Sequence, residues 1–171
     1  MQPRTVNITQ SQIEAITVRQ AILEDLEQMT QWTLELHQHE DDGDLKMRPD
    51  FGSNLNKWLS QELTNANSLF LIAQSKGTPV GFIFANSVIN DNGFLLDPLK
   101  GIVHLLWVVK DYRKQHVAAK LLDETEKCFS TININYVECN YTANNQLARK
   151  FWDKKGYIQR SITARKALTR N

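Results

Sequence analysis

Over residues 16–21 (ITVRQA) apolar and polar positions alternate singly, as in a strand with one buried face. From residue 24 to 39 the spacing changes to three and four, with Leu26, Met29, Thr33 and Leu36 on one stripe beside Trp32, which predicts a helix. Residues 50–63 repeat that spacing, with Phe51, Leu55, Trp58, Leu59 and Leu63 turned inward. Residues 68–74 and 80–88 are strand-like, and the Ser-Lys-Gly-Thr-Pro cluster between them predicts a hairpin. Residues 102–109 (IVHLLWVV) are almost continuously apolar, the pattern of a strand covered on both faces. A helix over 115–130 follows, with Val117, Leu121, Leu122, Thr125 and Phe129 as its stripe. A strand over 134–140, a helix over 144–155 and a last strand over 157–167 complete the order. Residues 39–50 and 90–100, rich in acids or in Asn-Gly and Asp-Pro breakers, read as loops. This order predicts an α/β (α+β) fold, a mixed central sheet of six to seven strands flanked by four helices. Residues 1–15 are polar and read as a loosely ordered arm, and residues 16–171 as a single domain.

Composition narrows the class. A chain of 171 residues with 42% hydrophobic and 23% charged residues suits one globular domain. The 20 basic residues against 19 acidic ones leave a net charge of +1, too little for a dedicated nucleic-acid binder. No apolar run approaches the roughly 20 residues needed to cross a bilayer, and the first residues lack the apolar core of a secretory signal. The expected location is therefore cytoplasmic, with neither membrane nor nucleic acid as partner. Cys128 and Cys139 are too few for a disulfide framework or a four-ligand zinc site, and read as buried free thiols. His37, His39, Glu40 and Asp42 match no ligand spacing, so no metal is implied.

Two segments carry candidate chemistry. In the first, the apolar strand runs straight into the helix over 115–130. Helix N-termini present unpaired N–H groups and partial positive charge, which attract phosphate. Arg113, Lys114 and His116 add charge there, and Ala118 and Ala119 permit close approach. A merely solvated basic turn accounts for the same residues. The second segment, Ala143 to Tyr157, opens on capping-type Asn residues, carries Leu147, Ala148, Phe151 and Trp152 on one face, and ends at Gly156. A plain amphipathic helix accounts for most of it.

In this order and about 30 residues apart, the pair resembles the GNAT superfamily of acyl-CoA N-acyltransferases. Leu106, Val108, Tyr112 and Arg113 follow that family's LxVxPxYR strand end, and the residues from Arg113 to Ala118 follow its [Q/R]xxGx[G/A] pyrophosphate signature. Asn145, Ala148, Trp152, Gly156 and Tyr157 follow its NxxAxxxYxxxGF element. The element order from Thr17 to Ala167 also fits, so the resemblance covers most of the chain. His116 stands where the family usually has its first Gly, and Trp152 where it often has a Tyr. A His in helical conformation would still present its N–H at the phosphate.

The resemblance implies direct transfer of an acetyl group from acetyl-CoA to a primary amine. It places Leu106, Trp107 and Val108 along the pantetheine arm, in a gap between this strand and the next. One of those N–H groups would hold the thioester oxygen. The amides of Gln115, His116, Val117, Ala118 and Ala119, with Arg113 and Lys114, would take the pyrophosphate. Asn145 would bond the arm or order the loop beside it, and Trp152, in the place of the family's Tyr, would also belong to the cofactor site. The family often sets a Glu two or four residues before the arm, at Ile102 or His104 here. His104, on the face expected to be shared with Ile102 and Leu106, is the candidate base, and a core histidine satisfied by a carbonyl is the alternative. An indole cannot protonate the departing thiolate, so that proton falls to water, to Tyr141 or to no enzyme acid.

The family's acceptor side commonly includes the loop between the first two helices. Five of the ten residues from Glu35 to Asp44 are carboxylates, which suits a small cationic amine such as a polyamine, an aminoglycoside or a lysine side chain, and equally suits a solvated loop. Trp32 and Trp58 read as core rather than as a substrate cage. Phe94, Leu95 and Leu96 suit either a lid or a homodimer contact. A non-catalytic acyl-CoA-binding or interaction domain of the same fold is the competing reading.

Overall fold

The computed structural model describes residues 15–40, 46–89 and 93–166. The polar arm before residue 15, the acidic stretch Asp41 to Asp44 and Ala167 lie outside the described residues.

The elements in chain order are β1 (Ile16–Gln20), α1 (Leu26–Glu40), α2 (Phe51–Leu63), β2 (Ser68–Ser75), β3 (Thr78–Ile89), β4 (Leu99–Val108), α3 (Val117–Thr131), β5 (Val137–Cys139) and α4 (Gln146–Lys154). Among the described residues they form one sheet in the order β1-β2-β3-β4-β5, antiparallel except for the parallel pair β4–β5. The expected six to seven strands are therefore corrected to five. The strand expected over 157–167 does not form, and residues 157–166 run without regular structure. Their apolar members do not define a buried face: Ile158 is 70% and Ile162 82% exposed. The strand expected over 134–140 shrinks to three residues, because β4 offers pairing only from Gly101 to Val103.

The sheet separates two apolar clusters. On one face α3 buries Val117, Leu121, Leu122, Thr125 and Phe129 against Leu71, Ala73, Ile83 and Val103. On the other, Met29 and Trp32 of α1 and Leu55 and Leu59 of α2 cover Phe70, Ile72, Phe82 and Phe84. Both helical stripes match the spacing in the sequence, because period 3.6 and a single covered side leave little choice of face. Trp58 departs from its expected core role. It is 39% exposed and meets Phe84 edge-on at 5.5 Å.

Gly101 is the point where α3 comes closest to β4. A Cβ there would lie 2.6 Å from two ring carbons of Phe129, itself buried. Gly101→Ala is expected to destabilise the fold by about 1–3 kcal/mol through overpacking, measured as a lower urea midpoint.

Cys128 is exposed and Cys139 half-buried, neither in a disulfide. Burial pushes the Cys139 thiol up to about 12, which leaves it protonated and unreactive near neutrality. Among the described residues no helix is long and apolar enough to cross a membrane.

Candidate active site

The site begins with an irregularity in β4. Phe84 of β3 faces Leu105, but its neighbour Ala85 faces Val103, so His104 has no cross-strand partner and forms a bulge. The extra residue turns His104 to the α1/α2 face, where its ring stacks on Phe84 at 5.1 Å. Leu106 packs on the opposite, α3 face. This corrects the expectation that His104 and Leu106 share a face: strict alternation fails across a bulge.

His104 is exposed at the surface of that face, and its Nε2 lies 2.8 Å from Asn86 Oδ1. Partial desolvation lowers its pKa below the usual histidine value, with the charge of Glu62 acting in the opposite direction. Near neutral pH the ring is therefore uncharged and holds a free lone pair. The reading of His104 as a carbonyl-satisfied core residue does not match this placement.

Beyond Val103 the two parallel strands part. The last β4–β5 pair is Val103 with Cys139, while β4 continues to Val108. The amide of Val109 donates to the carbonyl of Val80 on the β3 side, so the main-chain groups of Val108 and Leu106 turn to the open side. Five residues of strand thus present an edge that β5 does not cover. Arg113 bends back onto it: its Nε donates to the Val108 carbonyl at 3.0 Å, and its guanidinium lies 4.6 Å above the Trp107 ring. The Trp107 side chain faces α1, with the His39 ring at 6.3 Å, and its buried indole N–H has no partner among the described residues.

The strand then turns into α3 through a short 3-10 turn, Lys110–Tyr112. Lys114 and His116 are both left-handed, each with φ of 63°, and His116 is the N-cap of α3 without a side-chain cap bond. The expected helical conformation of His116 is thereby corrected to the one glycine adopts most readily. Left-handed residues in such a turn aim successive main-chain N–H groups into one concavity, which the first-turn amides of Val117, Ala118 and Ala119 extend. His116→Gly is expected to stabilise the fold by about 0.5–1 kcal/mol, seen as a rise in Tm, because the Cβ strain at positive φ disappears.

Asn145 caps α4 by accepting from the amide of Ala148 at 2.9 Å, and its Nδ2 donates to Glu40 Oε1 at 2.7 Å. It thus ties α4 to the end of α1 beside a cleft of about 270 Å³ that His39, Thr142 and Gln146 help to line. Tyr141 lies two residues past the end of β5 and packs on the α3-face cluster, the other side of the sheet from His104. Trp152, 6% exposed, is a core residue against Tyr157 at 4.8 Å. The structure therefore places Leu106, Val108, Arg113, Lys114, His116 and the α3 amides in sequence along the junction of β4 with α3, sets His104 on the α1/α2 face, and leaves Trp152 in the core. Sequence reading missed Asn86, and placed Glu40 only in the acidic stretch and not against Asn145. A polar residue at position 86, within an otherwise apolar strand, was the available signal.

An uncovered strand edge leading to a cluster of main-chain amides at a helix N-terminus defines a binder of an extended, anion-headed ligand. The strand edge at Leu106 that β5 leaves uncovered and the main-chain amides at the start of α3 fit the arm and the diphosphate of coenzyme A. A family model, described as "Acetyltransferase (GNAT) family", matches residues 24–157. The chain belongs to this family of acetyltransferases, which take their acetyl group from acetyl-CoA. Solved structures share the fold at low identity. A GCN5-related N-acetyltransferase from Ralstonia eutropha JMP134 is 15% identical, with a TM-score of 0.74 over 90% of this chain and 99% of that one. A predicted acetyltransferase from Clostridium acetobutylicum, solved with acetyl-CoA, is also 15% identical, with a TM-score of 0.74 over 90% of this chain and 97% of that one. An aminoglycoside antibiotic 6'-N-acetyltransferase from Acinetobacter haemolyticus is 12% identical, with a TM-score of 0.71 over 91% of this chain and 99% of that one. No curated protein matches the chain at the sequence level.

Proposed function

We propose that the protein acetylates a primary amine on a small cationic acceptor, with His104 as general base. Acetyl-CoA supplies a thioester that the amine attacks directly, forming the C–N bond as the C–S bond breaks. His104 takes the proton that the attacking nitrogen sheds. The Leu106 or Val108 N–H, facing the open strand edge, holds the carbonyl oxygen as charge develops, an arrangement worth roughly 10²–10³ in rate. The amides of residues 115–119, with Lys114, hold the pyrophosphate, and Arg113 fixes the end of β4 against which the arm lies. Tyr141, two residues past the end of β5, returns a proton to the departing thiolate. The single observation that carries this reading is a solvent-reachable imidazole in a bulge of β4, on the stretch of strand that β5 leaves uncovered.

A cationic acceptor is supported by the carboxylate of Glu62 on α2, whose charge opposes the burial that lowers the His104 pKa, and by the partly exposed Trp58 ring, which meets edge-on the same Phe84 ring on which His104 stacks. The aminoglycoside-acetylating relative bears on the same point by fold only. The test combines thermal shift with acetyl-CoA and release of free thiol across a panel of amines. Stabilisation by acetyl-CoA and thiol release with polyamines or aminoglycosides is the expected result. Stabilisation without thiol release on any amine would leave only a binding module. Neutralising Asp41 and Asp42 together is expected to raise KM severalfold for polycations and not for monoamines, and a uniform effect on all amines would remove the acidic loop as a steering element.

A further inference from the structure

The bulge that exposes His104 also deprives it of the cross-strand neighbour that would hold its ring. Two contacts from β3 take over: the stack on Phe84 and the approach of Asn86 Oδ1 to Nε2 at 2.8 Å. Asn86 sits opposite Ile102, two residues along β3 from Phe84 and therefore on the same face. Stacking alone fixes the plane of an imidazole but allows it to flip. An amide oxygen only accepts, so its partner nitrogen carries the hydrogen, and the lone pair of the neutral ring is left on Nδ1.

We infer that Asn86 is a positioning residue that holds His104 in the Nε2–H form, leaving Nδ1 as the atom that takes the proton. This rests on the reading of His104 as base. Asn86 is half-buried, and neither it nor Phe84 brings a charge to the ring. The charge that acts on the ring is that of Glu62 on α2, while the Lys100–Glu138 ion pair at 2.6 Å joins β4 to β5 beside Ile102 and the Arg19–Asp25 pair closes on itself at the β1 edge. None of these described groups is an alternative acceptor for Nε2 in the structure, which leaves Asn86 to set the ring's orientation.

Two variants separate positioning from general stability. Asn86→Asp keeps an oxygen acceptor and adds negative charge, which favours the imidazolium. It is expected to raise the His104 pKa by about one unit and shift the acid limb of kcat/KM upward equally. Above that limb activity should return to within a few fold of the wild type. Asn86→Leu removes the acceptor and is expected to lower kcat about tenfold at all pH values, with KM for acetyl-CoA unchanged.

Long-range ¹⁵N–¹H NMR on His104, run without substrates, reads tautomer and pKa directly. The expected spectrum is Nε2–H in the wild type and Asn86→Asp, and a mixture in Asn86→Leu. An Nδ1–H wild type, or a His104 pKa unmoved by Asn86→Asp, would overturn the inference. Should the NMR behave as expected while His104→Ala retains full activity, it is the base assignment that fails and not the contact.

Discussion

His104→Ala is expected to lower kcat/KM for amine acetylation by about 10²-fold or more near neutral pH, with the Kd for acetyl-CoA unchanged. The side chain lies on the α1/α2 face, whereas the coenzyme is assigned to the strand edge at Leu106 and Val108 and to the start of α3. Its loss removes a proton acceptor and no contact to the arm or the phosphates. The effect should also depend on pH in a defined direction. Burial lowers the His104 pKa, so the neutral form persists to lower pH than for a free histidine, and wild-type activity should fall only as pH drops below about 6.5. The variant should lose this acid limb and keep the slope due to deprotonation of the acceptor itself. Stopped-flow or steady-state thiol release over pH checks both points. Equal activity at neutral pH would remove His104 as base.

Ala118→Glu is the second large effect, and acts on binding. Ala118 lies in the first turn of α3, one residue after buried Val117 and two after left-handed His116. A carboxylate in that turn complements the positive end of the helix dipole, but Ala118 is half-buried against the α3-face core, so a modest loss of Tm from overpacking is expected while the variant still folds. A pyrophosphate in the same concavity would meet a like charge within a few ångströms. At the effective dielectric of a protein surface this costs about 2–3 kcal/mol, or roughly 30–100-fold in Kd for acetyl-CoA. Isothermal titration with acetyl-CoA, together with a melting curve, separates the two consequences. Unchanged affinity in a folded variant would place the phosphates elsewhere. Salt should narrow the difference, since the site opens to solvent.

Both predictions draw on geometry that periodicity conveys unevenly. The stripes of α1, α2 and α3 were legible because a helix with one covered side repeats its apolar positions every three to four residues, and the buried set of α3 is the one its spacing names. The apolar run of β4 likewise announced a strand with helices on both sides. The strand expected over 157–167 was misread, since alternating residues need a neighbouring strand before they form a ladder, and pairing is not written in local sequence. The candidate site was legible through a junction, a strand running into a helix behind a basic turn, and through the resemblance built on it. The roles of Arg113 and Asn145 were only partly so. Both side chains are held by the protein itself, Arg113 on the Val108 carbonyl and Asn145 between Ala148 and Glu40, and contacts over such distances follow from the fold alone.

The amino-acid sequence by itself determined which segments become helices, which faces they bury, and that a buried strand runs through a basic turn into a helix N-terminus after Val108. These depend on local spacing and on the chemistry of a helix end. Tertiary structure alone decided that β4 leaves β5 after Val103, that a bulge turns His104 away from Leu106, that His116 is left-handed, and that Asn86 meets the imidazole. Each depends on how one strand registers against another, and a shift of a single residue in register reverses which side chains face each other without altering any local pattern.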